Sequence, residues 1–291
     1  MHDTWSIPAK TFLVGEYAAL KEQSAILLTT TPCFELRLTS QPGLHGIHPQ
    51  SPAGRWWTHR DIQEYGFSWH DPYRGLGGLG ASSAQFLAVY QACAQIRGQQ
   101  VEQETLLHDY WDLSATQPGI RPSGYDLLAQ RSQGCVYLNR HTETYADYNW
   151  SFSDLGFILL HSKHKMATHE HLQQLVLNHI TDQLSDLVEY AKSAFIDQSS
   201  YHLVEAVKAY HQILAEQGWV ADHSLRCIQR LYQDTDALAI KGCGAMGSDV
   251  LLLLVKQTQM TKHVTRLTQT GWHILATNEA IYSPQPILTG T

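Results

Sequence analysis

Gly75-Leu76-Gly77-Gly78-Leu79-Gly80-Ala81-Ser82-Ser83-Ala84 is the stretch on which the reading of this chain turns. Glycines adopt positive φ without penalty and let backbone N–H groups come close to an anion. The small residues after Gly80 read as the start of a helix, whose unpaired N–H groups and positive dipole end favour a phosphate. A tight turn into a serine-capped helix, with no ligand, uses the same residues, and the loop alone does not separate the two readings. Gly75 to Gly80 also spells GxGxxG, but the dinucleotide fold needs an apolar strand directly before that motif. Phe67-Ser68-Trp69-His70-Asp71-Pro72-Tyr73-Arg74 makes a poor buried parallel strand. No GK[ST] closes the loop as in P-loop ATPases, and the HRD and DFG elements of protein kinases do not occur.

Outward from the loop, small and apolar residues predict a helix over Ala81–Ile96 and a second over Gln103–Ala115. A turn through Pro118–Gly124 leads to Tyr125-Asp126, and Cys135–Leu138 reads as a strand. Upstream, Ser24–Thr31 and Cys33–Leu38 read as strands separated by Pro32, and Thr39–Arg74 as irregular strands and loops. Downstream, the strand Leu155–His161 precedes a long helical pattern from an N-cap at Thr168 to about Ile196. Helices at Tyr201–Glu216 and Asp222–Asp234 follow. Then come a glycine turn at Gly242–Ser248, a strand at Val250–Val255, a helix at Thr261–Thr268 and a strand at Trp272–Ala276. The pattern is that of an α+β chain in two lobes, 1–155 and 156–291.

Composition narrows the class. A formal charge of −7 without a basic run argues against nucleic-acid binding. Cys33, Cys93, Cys135, Cys227 and Cys243 form no CxxC pair, which points to reduced thiols and a cytoplasmic protein. Met1–Lys10 lacks a signal peptide's apolar core, and no apolar run is long enough to span a bilayer. His161, His164, His169 and His171 invite a metal reading, but no HExxH is formed and surface histidines are the simpler account.

Two further segments complete a pattern: Pro8-Ala9-Lys10-Thr11-Phe12-Leu13-Val14-Gly15-Glu16-Tyr17-Ala18-Ala19-Leu20 and Lys241-Gly242-Cys243-Gly244-Ala245-Met246-Gly247-Ser248-Asp249. With Gly78–Ala84 they resemble the three signature motifs of the GHMP kinases (galactokinase, homoserine, mevalonate and phosphomevalonate kinases). Pro122-Ser123-Gly124-Tyr125-Asp126 is similar to the segment that carries the catalytic aspartate in mevalonate kinases. The four run in family order from residue 8 to residue 249. The resemblance implies a two-lobe fold, with an N-terminal α+β lobe, a C-terminal ferredoxin-like lobe and the site between them. It implies ATP and Mg²⁺ as cofactors, a small-molecule substrate, no nucleic-acid or membrane partner, and a monomer or homodimer.

By the same resemblance, Gly78, Leu79, Gly80, Ala81, Ser82 and Ser83 surround the ATP phosphates, Asp126 faces the acceptor oxygen and Lys10 pairs with Asp126. Glu16, Tyr17, Ser123, Gly124, Gly244 and Ala245 fall on the substrate side. The chain departs from the family in four places. Ala81 stands where the first serine is usual, leaving Ser82 as the metal-binding hydroxyl. Ala115 stands eleven residues before Asp126, where mevalonate kinases carry a magnesium-binding glutamate. Met246 and Ser248 replace glycines. Gly15-Glu16-Tyr17-Ala18 and Asp249 look like the phosphomevalonate kinase version, whereas Pro122-Ser123-Gly124 fits mevalonate kinases equally well.

The acceptor therefore stays open between 5-phosphomevalonate, the leading expectation, and mevalonate, with homoserine and sugar kinases, a decarboxylating relative and a non-catalytic relative behind them. A hydroxyl gains from a general base. A phosphomonoester, with a second pKa of about 6, instead needs cations to offset repulsion from ATP. Arg74, Arg121, Arg131, Lys163 and above all Lys165 are the candidates for that task.

Overall fold

The computed structural model describes residues 3–59, 62–114, 121–163 and 179–283. Its N-terminal half is built on one long hairpin, β1 (Thr4–Val14) against β2 (Ala25–Thr39). Along the opposite edge of β2 lie β4 (Gly66–His70) and β5 (Cys135–Asn139), extended by β3 (Gly43–His45) and β6 (Thr144–Tyr148) into a six-stranded sheet. The sequence reading broke β2 at Pro32; the strand instead runs through it. The register shifts between the Ile7–Phe34 and Ala9–Thr30 pairs, so Pro8 and Pro32 fall together where the ladder is already interrupted.

Helix α2 (Ala81–Ile96) packs on β1 and β2 and is flanked by α1 (Pro52–Thr58) and α3 (Gln103–Ser114). Its bounds are those read from the sequence, because glycines end abruptly where small helix formers begin. The segment read as irregular between Thr39 and Arg74 holds β3, α1 and β4. In α1, Ser51 accepts from the Gly54 N–H at 3.1 Å and Pro52 stands at the first helical position, an ordinary start signal. Asp126 lies in the first turn of a short helix, α4 (Tyr125–Ala129), entered through Gly124 at φ +77°.

The second sheet has the order β10-β7-β9-β8 and is antiparallel throughout. Its strands are β7 (Leu155–His161), β8 (Ala239–Cys243), β9 (Val250–Lys256) and β10 (His273–Thr277). Three helices separate β7 from β8: α5 (Ile180–Asp197), α6 (Ser200–Glu216) and α7 (Asp222–Asp234). One, α8 (Met260–Gln269), joins β9 to β10. This is the ferredoxin-like arrangement, with additional helices in its first crossover. Val250, Leu252 and Leu254 face the large core shared with the first sheet, while Leu251, Leu253 and Val255 face a second core under α7 and α8. A strand buried on both faces reads as an unbroken apolar run, which explains Val250–Val255.

The α5–α6 hairpin packs against both the first hairpin and β8, so one hydrophobic core is continuous from the first sheet to the inner face of the second. The helix start read at Thr168, together with Lys165, His164, His169, His171, Ala115 and Pro118, lies outside the described residues. Among the described residues no helix is long and apolar enough to cross a membrane, and none holds three or more metal-ligating side chains together.

Candidate active site

A cleft of about 450 Å³ opens between the two sheets, and the sequence motifs converge on it: Lys10, Glu16 and Tyr17 from the first, Gly75 to Gly78 and Gly80 to Ser82 from the second, Ser123 just before α4 and Asp126 within it, and Gly244, Ala245, Ser248 and Asp249 from the third. The glycine loop is fixed at both ends. Asp71 accepts from the N–H groups of Tyr73 (2.8 Å) and Gly75 (2.7 Å), and the Leu79 carbonyl accepts from the Lys10 N–H at 3.0 Å. β4 ends before this turn and runs antiparallel to β2, so the dinucleotide arrangement of a strand feeding straight into the loop is not formed.

Two glycines are demanded by contact. At Gly78 (φ +83°) a Cβ would stand 2.7 Å from Val250 Cγ2 and 2.9 Å from Asp249 Cβ. At Gly80 (φ +78°) it would stand 2.8 Å from Lys10 Cγ. The loop is thus clamped between β1 and the third motif. Helix α2 starts at Gly80 with no side chain capping it, and its Ala81 and Ser82 line the cleft. An uncapped helix end beside a glycine cradle fits a polyphosphate.

Lys10 Nζ lies 3.0 Å from Asp126 Oδ2, the lysine side chain 9% exposed and the aspartate 32%. Deeper in, Glu16 and Lys241 form a second pair at 2.5 Å with side chains 4% and 0% exposed. Lys241 also donates to the Gly242 carbonyl at 3.0 Å, and Glu16 Oε2 has no hydrogen-bond partner among the described residues. Burial pushes the Glu16 carboxyl above its ordinary value, and the Lys241 charge restrains that rise. Burial also raises the Cys243 thiol to about 11, so this cleft residue stays protonated and is no nucleophile.

Several expected site residues use their side chains to brace the cleft or turn them into the core. Ser83 turns inward, its hydroxyl donating to Gln130 Oε1 (2.7 Å), while Gln130 Nε2 donates to the carbonyls of Pro8 (2.9 Å) and Gly80 (3.1 Å). Ser83 therefore braces the loop from behind, leaving Ser82 as the exposed hydroxyl. The Leu79 side chain is in the core, and Gly124 faces Leu107 and Trp111, away from the cleft. The Tyr17 hydroxyl donates to the Trp219 carbonyl (3.2 Å) and accepts from the Met246 N–H (3.0 Å), tying the first motif to the third. Met246 keeps a left-handed backbone, φ +55°, although it is not glycine. Gln130 and Lys241 carry no sequence signal of their own.

The expected acceptor cations are dispersed. Arg121 pairs with Glu22 at 2.5 Å and stacks on Trp111. Arg131 donates to the Val101 carbonyl, and Lys163 to the Gly271 carbonyl. Arg74 does not line the cleft.

Known structures with the same architecture are plentiful. Phosphomevalonate kinase from Streptococcus pneumoniae, in complex with phosphomevalonate and AMPPNP, superposes with a TM-score of 0.73 over 94% of this chain and 98% of its own, at 16% identity. Mevalonate kinase from Methanococcus jannaschii gives 0.71 over 97% and 99% at 12% identity. The fold is that of the GHMP kinases. Galactokinase from Lactococcus lactis, complexed with galactose, shares this GHMP kinase fold with a TM-score of 0.70 over 94% and 92%, at 11% identity. No protein-family model and no curated protein matches the sequence.

Proposed function

We propose that the chain is an ATP-dependent kinase that phosphorylates a hydroxyl of a small metabolite. The observation that carries this reading is the Lys10–Asp126 pair opening into the same cleft as the uncapped, glycine-led end of α2. Phosphoryl transfer is mostly positioning and charge neutralisation, and the parts fit those tasks. The amides of Gly78 to Ser82 cradle the β- and γ-phosphates. Asp126 takes the acceptor's proton as its oxygen bonds to the γ-phosphorus and the bond to the bridging β,γ-oxygen breaks, releasing ADP. Lys10 orients Asp126 and offsets charge on the transferring group.

Mg²⁺ prefers oxygen ligands and keeps several waters, so the exposed Ser82 hydroxyl and the Asp249 carboxylate across the loop suit it as protein ligands beside the phosphates. When bound it neutralises phosphate charge. Glu16, held by Lys241 with its Oε2 unpartnered, would accept a hydrogen bond from the acceptor's polar end.

Among the described residues lining the cleft, Lys10 is the only cation, beside the carboxylates of Glu16, Asp126 and Asp249. That balance favours an acceptor whose reacting group is a neutral hydroxyl, as in mevalonate, over one whose reacting group is a phosphate dianion. The second reading, 5-phosphomevalonate, draws support from Gly15-Glu16-Tyr17-Ala18 and Asp249 and from the phosphomevalonate complex of the Streptococcus protein; it needs Lys165 as the phosphate-binding cation. An ADP-release assay across mevalonate, 5-phosphomevalonate, homoserine and galactose tests the proposal, with CO₂ detection to reveal a decarboxylating reaction. Turnover with an alcohol is expected. AMPPNP binding without acceptor-dependent ADP release would overturn the kinase reading in favour of a non-catalytic binding protein.

A further inference from the structure

A second cavity, of about 320 Å³, adjoins the third glycine loop from the C-terminal lobe. Its walls are Lys163 beyond the end of β7, one face of α7 carrying Arg226, Cys227 and Arg230, and Trp272 ahead of β10. We propose that this cavity is a binding site for a small phosphate monoester, with the phosphate among Lys163, Arg226 and Arg230 and the organic part against Trp272.

The charge distribution is the first support. Acidic residues outnumber basic ones by 27 to 20 over the chain, yet this cavity is lined by three fixed cations and no carboxylate. Like charges gathered around one concavity repel each other and raise the local concentration of anions. A docked dianion relieves that repulsion.

The geometry is the second. Arg226 and Arg230 stand one turn apart on α7, both exposed, and Arg226 is in no ion pair among the described residues. Arg230 uses Nε toward Asp234 Oδ2 at 3.4 Å, which leaves its terminal N–H groups available. On the other wall Lys163 has a left-handed backbone, φ +65°. Its N–H donates to His161 Nδ1 (3.1 Å) and its Nζ to the Gly271 carbonyl (2.7 Å). Forked guanidinium donors on one wall and an ammonium on the other present donors from two directions, which suits the several oxygens of a phosphate. The half-buried Trp272 ring gives the site an apolar side, and the volume is at the small end of the roughly 300–1,000 Å³ usual for metabolite pockets.

This site is separate from the cleft and does not rest on the kinase reading. The two meet at the third motif: Ser162, in the cavity wall, donates its N–H to the Asp249 carbonyl at 2.8 Å, and Ala221, just before α7, donates to the Met246 carbonyl at 2.8 Å.

The test is calorimetric titration of the full chain with phenyl phosphate and, separately, with inorganic phosphate, each with and without AMPPNP. Saturable binding of phenyl phosphate is expected, undisturbed by AMPPNP. Loss of one charge-assisted contact in Arg226→Ala or Arg230→Ala should weaken it about tenfold or more. Both arginines are exposed, so these variants keep the fold; thermal unfolding checks that. Trp272→Leu should weaken phenyl phosphate while sparing inorganic phosphate. Absence of saturable binding, binding that Arg226→Ala leaves unchanged, or displacement by AMPPNP would overturn the assignment. Equal loss of both probes in Trp272→Leu would overturn its organic half.

Discussion

Two lysine–carboxylate pairs lie at the same cleft and do opposite work. Lys10–Asp126 joins β1 to α4 and is open to the cleft, with the aspartate about one-third exposed. Glu16–Lys241 joins the turn after β1 to β8 and is almost wholly buried, with only Glu16 reaching the cleft wall. An open pair costs little desolvation and can exchange its partner for a substrate. A buried pair draws its strength from a low-dielectric setting and becomes costly as soon as one member is lost. The first suits chemistry; the second fixes the distance between the two sheets and with it the width of the cleft.

The largest separation between them should appear in turnover. Lys10→Ala is expected to lower kcat by about 10²–10³-fold while leaving the urea midpoint nearly unchanged, because its partner can be solvated. Next in size is Lys241→Met, which strands the Glu16 carboxylate. Unfolding in urea should show a loss of about 3–5 kcal/mol, and adding Glu16→Gln should return most of it. A double variant no more stable than the single would mean that the pair does not hold the sheets. Gly80→Ala forces a left-handed alanine against the Lys10 stem, at about 1–2 kcal/mol, and should also loosen AMPPNP binding.

The smallest effect concerns pH. Burial, and then the Lys241 charge, push His211 down to about 4. A base depressed in the folded state favours folding fully above its ordinary value near 6.5 and progressively less as pH falls toward 4. Replacing it by phenylalanine should flatten the fall in the urea midpoint across that window. An unchanged slope would place the pH dependence elsewhere.

Much of the fold was legible in the sequence because burial followed simple periods. α2 and α7 end where they were read, and β7 and β9 are unbroken apolar runs. β1 escaped notice because Pro8, Lys10 and Thr11 interrupt a strand that is nevertheless buried from Ile7 to Val14. β8 escaped because its centre is Lys241, a charge made tolerable only by a glutamate 225 residues earlier in the chain. β6 is short and mostly exposed, and leaves no apolar pattern. At the site, ordered motifs brought Lys10, Asp126 and the glycine loop into one reading. They could not say that Ser83 points at Gln130 or that the Tyr17 hydroxyl serves the Met246 loop, since side-chain direction depends on contacts far apart in sequence.

The central claim is that Asp126 accepts a proton from an alcohol beside the glycine loop. Acceptor-dependent ADP release by the wild-type chain and by Asp126→Asn, with unfolding midpoints measured on both, tests it most directly. A fall of about 10²–10⁴-fold with an unchanged midpoint is the predicted result. A mild loss in Asp126→Asn beside a severe one in Lys10→Ala would contradict it and point to an acceptor that already carries its charge.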